Sequence, residues 1–194
     1  MLFRSLSEAE IDAARELLAG NGLLATGTAI AGLTLEEPAK DEVLVFKPGD
    51  PVDRRVRTAL LDVQTGAVNT VLISLTHKRI DQVTALDPAV DGQPPIMLEE
   101  FFAVDEIVKA DEGWRAAMAR RGITDLSLVR ACPLSAGHFD LPGEHGRRML
   151  RALSFLANRE SDHCWAHPID GVTAYVDLIE RPALIGRASC RERV

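Results

Sequence analysis

Nine residues, Asp87-Pro88-Ala89-Val90-Asp91-Gly92-Gln93-Pro94-Pro95, hold three prolines and one glycine and show no apolar periodicity. Neither a helix nor a strand runs through such a stretch, because each proline removes a backbone donor and pushes the residue before it out of the helical region. The chain is cut in two there, and each piece must close its own apolar core. With 194 residues, 46% apolar and 26% charged, it has material for two small cores. We read 1–87 as a first domain, 88–95 as a linker and 96–184 as a second domain.

The first piece opens on Ser7-Glu8-Ala9-Glu10, a capping box in which the Ser7 hydroxyl and the Glu10 carboxylate each meet the other's backbone amide. Ile11, Ala14, Leu17 and Leu18 follow at three- and four-residue spacing, and Gly20-Asn21-Gly22 supplies the stop, so a helix is expected over 8–19. Period two then takes over. Ala29, Ala31, Leu33 and Leu35 alternate with Thr28, Ile30, Gly32 and Thr34, and further strands are expected over 55–63, 68–75 and 79–86. Gln64-Thr65-Gly66 and Thr76-His77-Lys78 are the turns between them. One helix against a four-stranded antiparallel meander is the expected build.

After the linker the plan repeats. Met97, Phe101, Val104 and Val108 share one helical face while Leu98 and Phe102 lie to its side. Asp111 caps a second helix that carries Trp114, Ala117 and Met118 and stops at Gly122. Strands are expected over 126–132, 147–156 and 172–178, the last with Val172, Ala174, Val176 and Leu178 on one face. The fold class is therefore α+β: two small domains, each a helix-led antiparallel sheet.

Composition excludes several functions. A net charge of −7 disfavours nucleic acid and anionic membrane, which need clustered Lys and Arg. No apolar run approaches the ~20 residues of a spanning helix, and Met1-Leu2-Phe3-Arg4-Ser5 runs into a polar helix start, so a cytoplasmic protein is expected. Cys132, Cys164 and Cys190 form no Cys-x-x-Cys and are expected to be reduced. Ile185 to Val194 resembles a translated sequencing adapter and is set aside from fold reasoning as an artefact.

Chemistry-bearing residues concentrate in Ser161-Asp162-His163-Cys164-Trp165-Ala166-His167-Pro168-Ile169-Asp170-Gly171. His163, Cys164 and His167, with His138 and His145 before them, lack the recurring ligand pairs of structural zinc, and hydrogen-bonded turn histidines are expected instead. The common hydrolase and nucleotide motifs are absent. Glu99-Glu100 and Asp105-Glu106 read as solvated helix carboxylates, and Arg147, Arg148 and Arg151 as partly solvated ion-pair partners. Judged alone, the residues give two α+β modules without a catalytic constellation, so a free-standing binding module stays open.

Three blocks change that reading: Pro133-Leu134-Ser135-Ala136-Gly137, Gly146-Arg147-Arg148-Met149-Leu150-Arg151-Ala152-Leu153 and Trp165-Ala166-His167-Pro168-Ile169-Asp170-Gly171. In order and spacing they resemble the copper-dependent primary amine oxidases, most of all the bacterial phenylethylamine and tyramine oxidases. The likeness runs back through Ala119-Arg120-Arg121-Gly122-Ile123 and Gln93-Pro94-Pro95 to Leu60-Leu61-Asp62 and Thr65-Gly66, covering nearly all of 1–184. It implies two small domains of cystatin-like build that precede a catalytic domain. It also implies a homodimeric enzyme that converts primary amines to aldehyde, ammonia and hydrogen peroxide with copper and topaquinone. From the same resemblance, Phe102, Leu134 and Trp165 match side chains at the mouth of the amine channel. The redox residues have no match: the family's quinone tyrosine lies in Asn-Tyr-Asp/Glu, whereas the one tyrosine here is Tyr175 between Ala174 and Val176, and no His-x-His occurs. A fragment inactive by itself is the expectation, with no catalytic, metal or cofactor residue of its own.

Overall fold

The computed structural model describes residues 4–137, 144–159, 161–180 and 183–186. Its contacts divide the chain into two compact units, Met1–Pro95 and Ile96–Val194.

In the first unit, α1 (Glu8–Gly20) starts on the expected capping box: the Ser7 amide donates to Glu10 Oε2 at 2.8 Å and the Glu10 amide to Ser7 Oγ at 3.4 Å. Arg4 and Arg54 converge on the same carboxylate at 2.7 and 2.9 Å. Ala14 and Leu18 are buried, whereas Ile11 stays 38% exposed, so the stripe is narrower than its spacing implied. Strands β1 (Thr28–Glu36), β2 (Arg55–Asp62), β3 (Val68–Ser74) and β4 (Arg79–Leu86) pair antiparallel in the order β1-β2-β3-β4. Val56, Leu60, Val71 and Ile73 close the core with the helix.

Two details depart from the sequence reading. The register of β1 slips between Ile30 and Gly32, and Ile30 and Leu33 both pack on the core. The extra residue of a bulge breaks strict alternation, so Ala29, Ala31, Leu33 and Leu35 do not form one face. A short helix, α2 (Lys40–Val45), intervenes before β2. It buries no side chain and has no side-chain cap, so nothing periodic announces it.

The turns follow local chemistry. Asp62 Oδ1 accepts from the Gln64 and Thr65 amides at 2.8 and 3.0 Å, and Gly66 takes φ 76° as the β2–β3 turn requires.

In the second unit, α3 (Leu98–Ala110) and α4 (Glu112–Ala119) cover one face of a sheet of β5 (Val129–Ser135), β6 (Met149–Leu156), β7 (Pro168–Asp177) and β8 (Ala183–Gly186). Asp111 caps α4 by accepting from the Trp114 amide at 2.7 Å. Trp114 is fully buried and its Nε1 donates to Ser154 Oγ at 2.9 Å, which satisfies the one polar group the ring brings inside. Val104, Val108, Met118, Val129, Ala152 and Val176 pack around it.

The strand bounds shift from those expected. Leu126–Leu128 is a 3₁₀ turn, so β5 starts later and runs to Ser135. Strand β6 begins at Met149, and β7 runs from Pro168 to Asp177, well before the expected start at Val172. A fourth strand, β8, pairs with β7 through Gly186, two residues into the segment set aside above. Among the described residues no helix is long and apolar enough to cross a membrane.

Candidate functional site

Strand β5 lies at one edge of its sheet, where its outward amides need partners. Helix α3 supplies one: Asp105 Oδ1 accepts from the Ala131 amide at 2.7 Å, while Asp105 Oδ2 holds Lys109 at 2.7 Å. Alternation sends Val129 and Ala131 into the core beneath the helices and turns Cys132 and Leu134 to the other side of the strand. Leu134 is 40% exposed there, whereas Cys132 is 2% exposed.

What shields Cys132 is the segment between β6 and β7. Cys132 Sγ lies 4.0 Å from the Cys164 carbonyl oxygen. Burial pushes the Cys132 thiol up to about 11, the Trp165 side chain hydrogen-bonded to it pulls the other way, and the Cys164 thiol adds a smaller upward push. Trp165, the neighbour of Cys164, is itself 52% exposed.

The segment is wound on side-chain acceptors. Asp162 Oδ2 accepts from the Asn158 and Arg159 amides at 2.9 and 3.2 Å. His163 Nδ1 accepts from the Trp165 amide at 3.2 Å, and its ring meets the indole edge-on with centroids 5.7 Å apart. His167 Nε2 lies 3.0 Å from Asn158 Nδ2, and the His167 carbonyl accepts from the Leu156 amide at 2.8 Å. Both histidines are turn-forming, hydrogen-bonded groups; His138 lies outside the described residues.

On the neighbouring helix Phe102 is 61% exposed and Leu98 is 67% exposed, so neither fills the core. Phe102 stacks edge-on with Phe101, centroids 6.2 Å apart, and sits one turn before Asp105 on α3. Phe102 on α3, Leu134 on β5 and Trp165 in the segment after β6 are each large apolar side chains left open to solvent.

Two readings of charge need correction. Glu100 is buried, not solvated: Arg148, itself 2% exposed, donates to it from Nε at 2.9 Å and from Nη2 at 2.6 Å. Arg148 is accordingly not partly solvated either. The same carboxylate accepts from the Met97 amide at 2.8 Å, so the pair locks the first turn of α3 onto the start of β6. Arg147 fits the ion-pair expectation, bridging Asp177 and Glu180.

The donor set does not fit catalytic copper. Among the described residues no three His, Cys, Asp or Glu side chains are placed to hold a metal ion, and three imidazoles around one ion have no sequence basis without His-x-His. Tyr175 sits mid-strand in β7 opposite Arg151. The Cys132–Cys164 contact and the buried Glu100 escaped the sequence reading, because their partners lie 32 and 48 residues away with no motif joining them.

Comparison with known proteins agrees with the fold. Residues 7–83 match the AGAO-like N2 domain, and residues 99–185 match the N3 domain of copper amine oxidase. A histamine oxidase of Arthrobacter globiformis is 41% identical over 178 residues, 91% of this chain and 25% of that protein. A primary amine oxidase of Arthrobacter sp. (strain P1) is 33% identical over 89% of this chain and 26% of its own length. One from Klebsiella aerogenes is 30% identical over 90% and 23%. The crystal structure of a copper-containing benzylamine oxidase from Hansenula polymorpha superposes with TM-score 0.75 at 12% identity, covering 97% of this chain and 30% of that one, which shows the shared fold. The chain spans about a quarter of the length of the curated relatives it matches. With consecutive N2 and N3 domains over nearly all of its described length, the chain belongs to the copper amine oxidase family.

Proposed function

We propose that the two domains are the non-catalytic front part of a copper and topaquinone amine oxidase that oxidises primary amines, aryl-alkyl amines above all, and works as a cytoplasmic homodimer. The redox groups are supplied by chain outside these 194 residues, since the sequence holds neither Asn-Tyr-Asp/Glu nor His-x-His. In this reading Phe102, Leu134 and Trp165 line the mouth of the amine channel. The observation that carries it is their exposure, 61%, 40% and 52%, at the positions the resemblance marks. An apolar, aromatic entrance strips water from the substrate ring and leaves the charged amine to travel on to a deeper site.

Two measurements test this. Reads of the locus past Leu184 are expected to continue in frame into a segment with both redox motifs; a natural stop codon there overturns the reading in favour of a free-standing binding module. The purified 194-residue chain, given copper and an aromatic amine, is expected to release no hydrogen peroxide. Steady peroxide release would place the redox groups inside these residues after all.

A further inference from the structure

Cys132 and Cys164 are 32 residues apart in sequence and meet on the outer side of β5. One belongs to a regular strand and is 2% exposed; the other belongs to the irregular segment after β6 and is partly open to solvent. The Cys132 sulfur lies 4.0 Å from the Cys164 backbone carbonyl oxygen, and both are free thiols. We propose that Cys132 and Cys164 are a reversible peroxide-responsive pair, whose disulfide fastens the Trp165 segment to the edge strand.

The two positions divide the chemistry. Cys164, the accessible member, attacks hydrogen peroxide; its sulfur takes one OH, the O–O bond breaks, and the departing hydroxide takes up the Cys164 thiol proton to leave as water, giving the sulfenic acid. The Cys132 sulfur then attacks the Cys164 sulfur, the S–O bond breaks, and the Cys132 thiol proton goes out with that oxygen as water. Two thiols and one peroxide become one disulfide and two waters. Shielding by Trp165 and Cys164 keeps peroxide from Cys132 directly, so Cys132 serves as the resolving group. With its thiol held protonated near neutral pH by burial, and with Asp105 adding a small push the same way, ring closure is the slower step. The segment bearing Cys164 is hydrogen-bonded turn rather than sheet ladder, so its adjustment toward Cys132 breaks no strand pairing.

The proposal does not depend on the amine oxidase reading, because its test supplies peroxide from outside. The reduced 194-residue chain is treated with near-equimolar hydrogen peroxide, quenched by alkylation and mapped by mass spectrometry. The expected result is a loss of about 2 Da, a linked Cys132–Cys164 peptide, alkylated Cys190, and full reversal by dithiothreitol. Trp114 is fully buried, so acrylamide quenching reports Trp165 and is expected to fall on oxidation. Cys132→Ala should leave Cys164 trapped as a dimedone adduct; Cys132→Ser gives the same readout should the alanine variant not fold. In urea the pairing preference should vanish. Sulfinic acid at Cys164 beside a free Cys132, preferential linkage to Cys190, unchanged quenching, or the same preference in the unfolded chain would each overturn it.

Discussion

At the scale of single residues, the second unit depends on polar groups that have no water to fall back on. Arg148 and Glu100 are joined by two hydrogen bonds in a nearly closed site. Removing the guanidinium leaves the Glu100 carboxylate buried without its countercharge, so Arg148→Met is expected to lower unfolding free energy by about 3–5 kcal/mol, while Arg148→Met with Glu100→Met recovers most of the loss. Urea unfolding followed by circular dichroism checks both; equal losses in single and double variants would show that the pair matters by shape rather than charge. Ser154→Ala strands the Trp114 indole donor and should cost about 1–3 kcal/mol, read from the same curves. Trp114 was legible as core from its helical position after the Asp111 cap. Glu100 was not: whether a helix carboxylate is solvated depends on what lies across from it, and Arg148 is 48 residues on.

At the scale of elements, caps and turn residues carried most of the information. The Ser7–Glu10 box fixed the start of α1 within the sequence itself, because its donors and acceptors are all local. The structure adds that Arg54, then the Ser7 amide and Arg4, hold the Glu10 carboxyl well below the usual carboxylate range against the opposing pull of desolvation. A folded-state pKa below the unfolded one means that the stabilisation is whole above the ordinary carboxylate range and is lost as pH falls through and below it. Glu10→Gln should therefore cost an amount of the order of 1 kcal/mol that is constant above about pH 5, with the gap to wild type narrowing below about pH 4. Urea midpoints across pH 2–7 check this, and a gap that widens on acidification would contradict it. Elements without such local marks were the ones misjudged. Strand β1 hides its bulge because only the register against β2 shows the extra residue, and α2 buries nothing that would impose a period.

At the scale of the whole chain, the proline-rich segment was enough to say that two cores exist, since no regular element crosses it and each flank repeats helix and then sheet. What it could not show is which surface each core leaves open, because exposure of Phe102, Leu134 and Trp165 is decided by strand register and by the path of the segment after β6. Two closed cores have an energetic consequence. The Leu18, Val71 and Ile73 cluster shares no member with the Trp114, Val129 and Ala152 cluster, so losing stability in one need not open the other. In Arg148→Met, native-state hydrogen exchange is expected to accelerate at the paired amides of β5, β6 and β7, by up to the factor the variant's free energy allows, while those of β2 and β3 keep their wild-type protection. Parallel acceleration in both sheets would mean that the chain unfolds as one cooperative body, and the linker would then separate elements without separating stabilities.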